Sequence, residues 1–204
     1  MLYVPNDKKM TKIIGITGGI ASGKSTVVEE IRRAGYQVID ADEVVHGLQS
    51  KGGKLYQALL GWLGPDILTA EGQLDRPKLS QLIFSSAENQ AKSATLQNHI
   101  IRQALAQERD RLSEGQDILF MDIPLLVELD YLDWFDQIWL VYVDEHQQLH
   151  RLMERNGYSQ VQAKQRIATQ MPLSDKKQYA DLLLDNNGSP EDLKKQVQLA
   201  LKNL

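Results

Sequence analysis

The chain carries the glycine-rich stretch TGGIASGKST from Thr17 to Thr26, and this stretch decides the fold. From Gly18 to Ser25 the spacing is G-x-x-x-x-G-K-S, which is the pattern of a phosphate-binding P-loop. The apolar run Ile13 to Ile16 predicts a buried strand before the loop, and VVEEIRRAG predicts a helix after it. A strand, a glycine turn and a helix are the context that this motif requires, so a chance glycine turn is the weaker interpretation.

The residue types in this stretch suit a bound nucleotide. Glycines let the backbone approach an anion closely, and the amide N–H groups of the turn and of the helix start point at phosphates. Lys24 is expected to reach the β- and γ-phosphates, and the hydroxyl of Ser25 is expected to ligate Mg²⁺. The sequence therefore predicts binding of a nucleoside triphosphate with its metal ion.

Composition limits the other classes of function. The 204 residues include 23 Lys and Arg against 27 Asp and Glu, and this net charge of −4 argues against nucleic acid as a partner. The absence of cysteine excludes disulfides, a thiolate zinc site and a cysteine nucleophile. No apolar run approaches the roughly 20 residues of a membrane helix, and the N-terminus lacks a signal peptide's apolar core. We expect a cytoplasmic protein without a membrane partner.

Strand-like runs alternate with helical ones, which predicts an α/β fold. The runs are continuously apolar rather than alternating, as in a parallel sheet covered on both faces. Each run after the first is followed by Asp, and ligands of such sheets gather at the carboxyl ends of the strands. For Asp144, capping of a helix is the favoured interpretation. The five predicted strands are Ile13–Thr17, Tyr36–Ile39, Ile118–Met121, Ile138–Val143 and Leu182–Leu184.

Two longer segments interrupt the strand and helix pattern. Roughly eighty residues separate the second and third strands, too many for a simple crossover, and they predict a helical insertion from about 50 to 115. Its helices are expected at Lys54–Leu63, Pro77–Phe84 and Ala87–Ser113. A basic segment from about 151 to 178 is either a solvated helix or a lid that closes on phosphates. We expect one domain over residues 11–204, preceded by a flexible extension at residues 1–10.

Two carboxylates follow the second strand in the stretch IDAD, which ends at Asp42. A kinase of small molecules needs a group that orients or deprotonates the acceptor hydroxyl, and Asp42 is the candidate. Asp40 either assists Mg²⁺ or caps the helix that follows, because Asp is a favoured N-cap. We expect this strand to lie close to the P-loop strand. If Asp42 is not the base, Asp122 at the end of the third strand is the alternative.

At this point the chain resembles the dephospho-CoA kinases, which transfer the γ-phosphate of ATP to the ribose 3′-hydroxyl of dephospho-CoA. The resemblance runs from Ile13 to about Leu201, and the P-loop and VIDAD are its first motifs. The later motifs appear in the family's order and are IPLLVE (Ile123 to Glu128), RLMER (Arg151 to Arg155), RIATQMP (Arg166 to Pro172) and LDNNG (Leu184 to Gly188).

The resemblance implies a P-loop kinase-like fold, a five-stranded parallel sheet with a CoA-side helical insertion and a lid. It implies Asp42 as the base and Arg151 and Arg155 as lid arginines that steady the transferring phosphoryl group. It places His99 and Arg102 on the acceptor side, although this chain has Ile100 where the family commonly has Pro. Ser25 and Asp40 are the metal candidates. The residues implied in ATP binding are Gly19, Ile20, Ala21, Ser22, Gly23, Lys24, Ser25, Thr26 and Asn187.

Two other functions remain open from the residues alone. One is a P-loop kinase with a nucleotide, nucleoside or sugar acceptor, and the other is a nucleotide-dependent switch or binding module. The switch does not explain a large helical insertion, and LDNNG is not a guanine-selective segment. ATP and Mg²⁺ are the expected cofactor and metal, dephospho-CoA is the expected substrate, and a monomer is the expected assembly.

Overall fold

The computed structural model describes residues 10–204, so the predicted extension at residues 1–10 lies outside the described residues except for Met10. Within the described range the strands form one five-stranded sheet in the order β2-β3-β1-β4-β5. The strands are β1 (Lys12–Gly18), β2 (Gln37–Asp40), β3 (Ile118–Asp122), β4 (Gln137–Tyr142) and β5 (Leu182–Asp185). Each predicted strand is present, and neither end of any strand differs by more than one residue.

The P-loop strand β1 lies in the centre of the sheet. It pairs in parallel with β3 on one side, where Ile16 is opposite Asp122, and with β4 on the other, where Gly18 is opposite Val141. β5 pairs in parallel with β4. β3 therefore separates β2 from β1, so the expectation that β2 lies close to the P-loop strand is corrected: β2 is one strand removed.

The helices follow from capping residues and apolar spacing. Asp144 accepts a hydrogen bond from the amide of Gln147, so the predicted capping role of Asp144 is confirmed. Ser189 forms a capping box with Asp192, and Pro190 occupies the first helical turn, where its missing N–H costs nothing. The helices are α1 (Lys24–Arg33), α2 (Ala41–Gln49), α3 (Lys54–Leu63), α4 (Arg76–Ile83), α5 (Ala87–Ser113), α6 (Glu145–Asn156), α7 (Gln160–Ile167), α8 (Leu173–Lys176) and α9 (Pro190–Lys202).

The chain divides into two compact units. One comprises the described residues up to Ile39 together with Leu112–Leu204, and it has a buried core between the sheet and the helices α1 and α9. Phe120 and Trp139 meet edge to face in this core, with ring centroids 5.3 Å apart. The second unit, Asp40–Arg111, is helical and has a core of its own around Leu55, Leu59 and Ile67.

The predicted helical insertion from about 50 to 115 corresponds in sequence to most of the second unit, and the single-domain organisation stays a prediction. Its helices α3 and α5 have the predicted bounds. No helix within residues 10–204 is both long enough and apolar enough to cross a membrane.

Candidate active site

The P-loop is the turn between β1, which ends at Gly18, and α1, which begins at Lys24. Within the turn, the amide of Ser22 donates to the carbonyl of Gly19 at 3.1 Å, and Gly23 takes a left-handed φ of 97°. Gly23 has no side chain with which to cap the helix, so no capping side chain competes with an anion for the N–H groups of Lys24 and Ser25 at the start of α1. The backbone therefore has the geometry of a phosphate site.

Lys24 is held at the carboxyl end of the sheet by Asp122. Its Nζ atom lies 3.0 Å from Asp122 Oδ1 and 3.2 Å from Oδ2. Asp122 is the last residue of β3, the neighbour of β1, which explains why the two side chains meet. The carboxylate holds the ammonium at the carboxyl end of the sheet, so Asp122 is an ion-pair partner of the P-loop lysine, and its part as the alternative base stays a prediction.

Three amide side chains that sequence analysis did not identify bind the P-loop. Gln148 Nε2 donates to the carbonyl of Ile20 at 2.9 Å, and Gln170 Oε1 accepts from the Ile20 amide at 2.8 Å. Asn186 Nδ2 donates to the carbonyl of Ser22 at 2.8 Å. Gln170 and Asn186 lie in the quoted segments RIATQMP and LDNNG, so a signal for them existed, whereas nothing in the sequence marks Gln148.

The two carboxylates of IDAD have different environments. Asp40 ends β2, and its Oδ1 accepts hydrogen bonds from the amides of Asp42 at 2.9 Å and Glu43 at 3.2 Å. The capping interpretation of Asp40 is therefore confirmed, while its role toward a metal stays a prediction. Asp42 is exposed in the first turn of α2, where Asp40 fixes its backbone.

The residues present fit a magnesium ion that is shared with a nucleotide. Mg²⁺ is usually bound through one or two protein groups together with substrate phosphates and water, rather than by a cage of carboxylates. No group of three or more His, Asp or Glu side chains in the described chain is arranged to hold a metal. Ser25 follows Lys24 in the first turn of α1 and is exposed, as such a ligand must be.

The two predicted lid arginines have different partners in the structure. Arg151 Nη2 donates to the carbonyl of Asn186 at 2.8 Å and to Gln147 Oε1 at 3.2 Å. Arg155, one turn later on α6, is exposed, and within residues 10–204 its side chain makes a local bond from Nε to Oδ1 of Asn156 at 2.9 Å. Arg151 therefore supports the loop before α9, whereas Arg155 presents its guanidinium to solvent.

Asn187, the predicted adenine-side residue, is tied into the same loop. Its Oδ1 accepts from the amide of Asp144, and its Nδ2 donates to Asp185 Oδ1. These bonds join the end of β5 to the start of α6. The placement of Asn187 near a nucleotide base stays a prediction.

Lys176, counted among the basic residues of the predicted lid, is buried. Its Nζ atom lies 3.0 Å from Glu128 Oε1 and donates to the carbonyl of Pro124 at 3.0 Å. Glu128 Oε1 also accepts from the amide of Met171. Burial lowers the pKa of Lys176, and hydrogen bonding to Glu128 opposes that shift. The solvated interpretation is therefore wrong for Lys176, which joins IPLLVE to the end of the lid segment.

Replacing Glu128 with Gln should destabilise the fold by about 3 kcal/mol, because a buried ammonium would lose its charged partner. The variant would lower the folded-state pKa of Lys176 further and leave the unfolded-state pKa unchanged. Between the lowered folded-state pKa and the ordinary lysine pKa, the unfolded state binds more protons than the folded state, so the free energy of unfolding rises with pH. The stability deficit of the variant relative to the unaltered protein should therefore narrow from neutral pH to about pH 10. Urea unfolding at both pH values measures this.

The matched control is Glu191→Gln, which removes an exposed carboxylate 4.0 Å from Lys194. It should change stability by less than about 1 kcal/mol at either pH. A Glu128→Gln deficit as small as that of the control would contradict the structural role of the buried pair.

The acceptor-side candidates lie in the helical unit. α5 continues unbroken through Ile100, so the chain keeps a helix where the family commonly has Pro. His99 is exposed and Arg102 is partly buried on this helix, three residues apart and so on one face. The same unit contains a cavity of about 480 Å³ whose lining includes Arg76 and Phe84.

Comparison with known proteins adds independent findings. The family model described as dephospho-CoA kinase matches residues 12–192. A dephospho-CoA kinase of Streptococcus agalactiae serotype Ia is 63% identical over 195 residues, which cover 96% of this chain and 100% of the relative.

Solved structures agree on the fold. The Thermus thermophilus protein TT1252 is 32% identical, with a TM-score of 0.78 over 96% of this chain and 99% of that one. A dephospho-CoA kinase from Campylobacter jejuni has a TM-score of 0.73 at 24% identity, over 95% of this chain and 97% of that one. At that identity the second likeness concerns the fold alone.

Proposed function

The chain belongs to the dephospho-CoA kinase family, and from this premise we propose how its residues carry out the family's reaction. The reaction is the ATP-dependent phosphorylation of dephospho-CoA, which gives CoA and ADP as a step of coenzyme A biosynthesis. It transfers the γ-phosphoryl group to the ribose 3′-hydroxyl. Such a transfer needs alignment and positive charge at the phosphoryl oxygens more than covalent help from the protein.

The observation that carries the proposal is the P-loop with its paired lysine. Gly19 to Thr26 form the loop that holds the ATP phosphates, and Lys24 approaches the β- and γ-phosphates. The carboxylate of Asp122 lies 3.0 Å from the ammonium of Lys24 and fixes it at the carboxyl end of the sheet. Positive charge that is fixed in advance stabilises the transition state without a reorganisation cost.

Asp42 is the proposed base toward the acceptor hydroxyl. It is exposed and therefore accessible to a substrate, and the cap that Asp40 forms on α2 fixes its backbone. A positioned carboxylate orients the hydroxyl and takes its proton as the new bond to phosphorus forms. The Oδ1 atom of Asp40 caps the helix.

Mg²⁺ is the proposed metal, with Ser25 as its direct protein ligand and Asp40 as a second candidate. When bound, the ion neutralises charge on the β- and γ-phosphates. The cytoplasm as location and a monomer as assembly are further parts of the proposal and rest on the sequence.

The helical unit is the proposed acceptor side. Its cavity combines polar and apolar walls, as an elongated substrate with charged and apolar parts requires. Arg102 and His99 are the proposed contacts on α5, with Arg102 the better suited to an anionic group because its charge is permanent.

Replacing Arg155 with Ala should lower kcat on the order of 10²-fold while changing the affinity for ATP much less, because we propose that its contact forms on lid closure. Thermal stability should not change, since the side chain is exposed and bonds locally to Asn156. Arg151→Ala is the matched comparison on the same helix. It should also lose about 1.5 kcal/mol of stability with its bond to the Asn186 carbonyl.

Steady-state kinetics and thermal unfolding of both variants separate the two roles. An Arg155→Ala enzyme with unchanged kcat would remove Arg155 from the catalytic set. A stability loss in that variant as large as in Arg151→Ala would contradict the assignment of support to Arg151.

Identification of the product tests the proposed function itself. The protein is incubated with ATP, Mg²⁺ and dephospho-CoA, and the product is analysed by mass spectrometry and phosphorus NMR. We expect one added phosphate on the ribose 3′-oxygen and one ADP per CoA formed. A phosphate at another position, or ADP without CoA, would refute the proposal.

A further inference from the structure

A loop that binds phosphate must turn its peptide N–H groups toward the anion and its carbonyl oxygens away from it, since a carbonyl oxygen repels phosphate. Two P-loop carbonyls are held within the loop and its helix. The Gly19 carbonyl accepts from the Ser22 amide, and the Gly23 carbonyl accepts from the Thr26 amide, each at 3.1 Å. These bonds are local and follow from the glycine spacing.

Two further carbonyls are held by side chains from distant elements. Gln148 of α6 donates to the carbonyl of Ile20, and Asn186 after β5 donates to the carbonyl of Ser22. Gln148 is 5% exposed and Asn186 is 7% exposed. A buried amide that lacks hydrogen bonds costs free energy, so these bonds both satisfy the amides and fix the direction of the loop carbonyls.

The glycines of the motif leave the space that these amides occupy. A Cβ atom on Gly19 would lie 2.6 Å from Gln148 Nε2, and one on Gly23 would lie 2.1 Å from Asn186 Nδ2. Gly23 also has a left-handed φ, so its conformation requires glycine in any case. The φ of Gly19 is not in that region, so at this position glycine is needed for space alone.

We propose that Gln148 and Asn186 are positioning residues of the P-loop, which direct the Ile20 and Ser22 carbonyls away from the phosphate site, and that Gly19 is glycine in order to admit Gln148. This proposal rests on the proposed role of the loop in holding ATP. Without the Gln148 amide, the Ile20 peptide is free to turn its carbonyl toward the anion. Nucleotide affinity then falls in a protein that is still folded.

The test is a double-mutant cycle on Gly19 and Gln148, read as the Kd for ADP with Mg²⁺ by titration calorimetry. Gln148→Ala should weaken binding roughly 5-fold, the equivalent of one ordinary hydrogen bond. Gly19→Ala should weaken it by a similar factor of roughly 5, because the new Cβ displaces the Gln148 amide from the Ile20 carbonyl. The double variant should bind nearly as well as Gln148→Ala alone, because the smaller side chain removes the 2.6 Å clash and leaves only the 3.3 Å approach of the Cβ to Leu173 Cγ.

If the fold-changes in Kd of the two single variants multiply in the double variant, Gly19 is not needed to leave space for Gln148. A Gln148→Ala protein that melts at a lower temperature but binds ADP with unchanged Kd would overturn the positioning role, because a purely structural residue affects unfolding alone. If Gly19→Ala does not fold, the Kd of Gln148→Ala still tests whether Gln148 positions the P-loop. Either failure would leave the kinase activity of the unaltered protein, and hence the proposed function, intact.

Discussion

The variant Lys24→Met should lose phosphoryl transfer by roughly 10² to 10³ in kcat, because it removes the charge that is placed in advance beside the β- and γ-phosphates. Met keeps the length of the side chain and its packing but carries no ammonium. ATP affinity should fall less than kcat, since the backbone amides of the loop are unchanged. Single-turnover transfer and ATP titration measure the two effects separately.

The same substitution should also lower stability, which the sequence alone did not indicate. Asp122 is largely buried and would lose the ammonium 3.0 Å away, at a cost of up to about 3 kcal/mol. The control is Lys24→Met combined with Asp122→Asn, which removes both charges. The double variant should regain stability and remain inactive. Activity that returned with stability would show that Lys24 serves the fold and not the phosphates.

The variant Asp42→Asn should reduce turnover with dephospho-CoA by roughly 10² to 10⁴, the usual contribution of a positioned general base. Asn preserves the size of the side chain and removes its basicity. ATP binding should survive, because Lys24, Ser25 and the loop amides are untouched. Loss of rate and ATP affinity together would assign Asp42 to the nucleotide site, and loss of neither would place the base elsewhere.

Asp40→Asn is the matched control, two residues away. Its Oδ1 would still accept from the amides of Asp42 and Glu43, and Asn caps a helix about as well as Asp. The fold of α2 should therefore be kept. A changed Mg²⁺ dependence would support Asp40 as a metal ligand, whereas an unchanged dependence would leave it as a cap only.

Local sequence determined the parts of the molecule that could be predicted. The apolar runs of β3 and β4 predicted strands because a buried parallel strand needs apolar residues on both faces. The P-loop could be predicted equally well, because the spacing from Gly18 to Ser25 is itself a local signal. The helix bounds of α3 and α5 also came directly from local spacing.

The remaining parts depend on contacts between distant residues. Gln148 is 128 residues from Ile20, and Asn186 is 164 residues from Ser22, so no local pattern joins them. Lys176 stands in a polar segment, where nothing distinguishes a buried lysine from a solvated one until Glu128 is found beside it. β3 lies between β1 and β2 although it follows both in the chain. The strand order therefore could not be predicted from local sequence either.

The central claim is that this chain is a kinase for dephospho-CoA rather than for another small hydroxyl compound. The most direct test is kcat/KM for ADP release with ATP and Mg²⁺, compared among dephospho-CoA, adenosine, AMP and pantetheine phosphate as acceptors. Loss of the hydrogen-bonded parts of a substrate commonly lowers kcat/KM by roughly 10⁴ or more. We predict a preference for dephospho-CoA of this order and only slow ADP release without an acceptor; equal rates with adenosine or AMP, or ADP release that needs no acceptor, would contradict the claim.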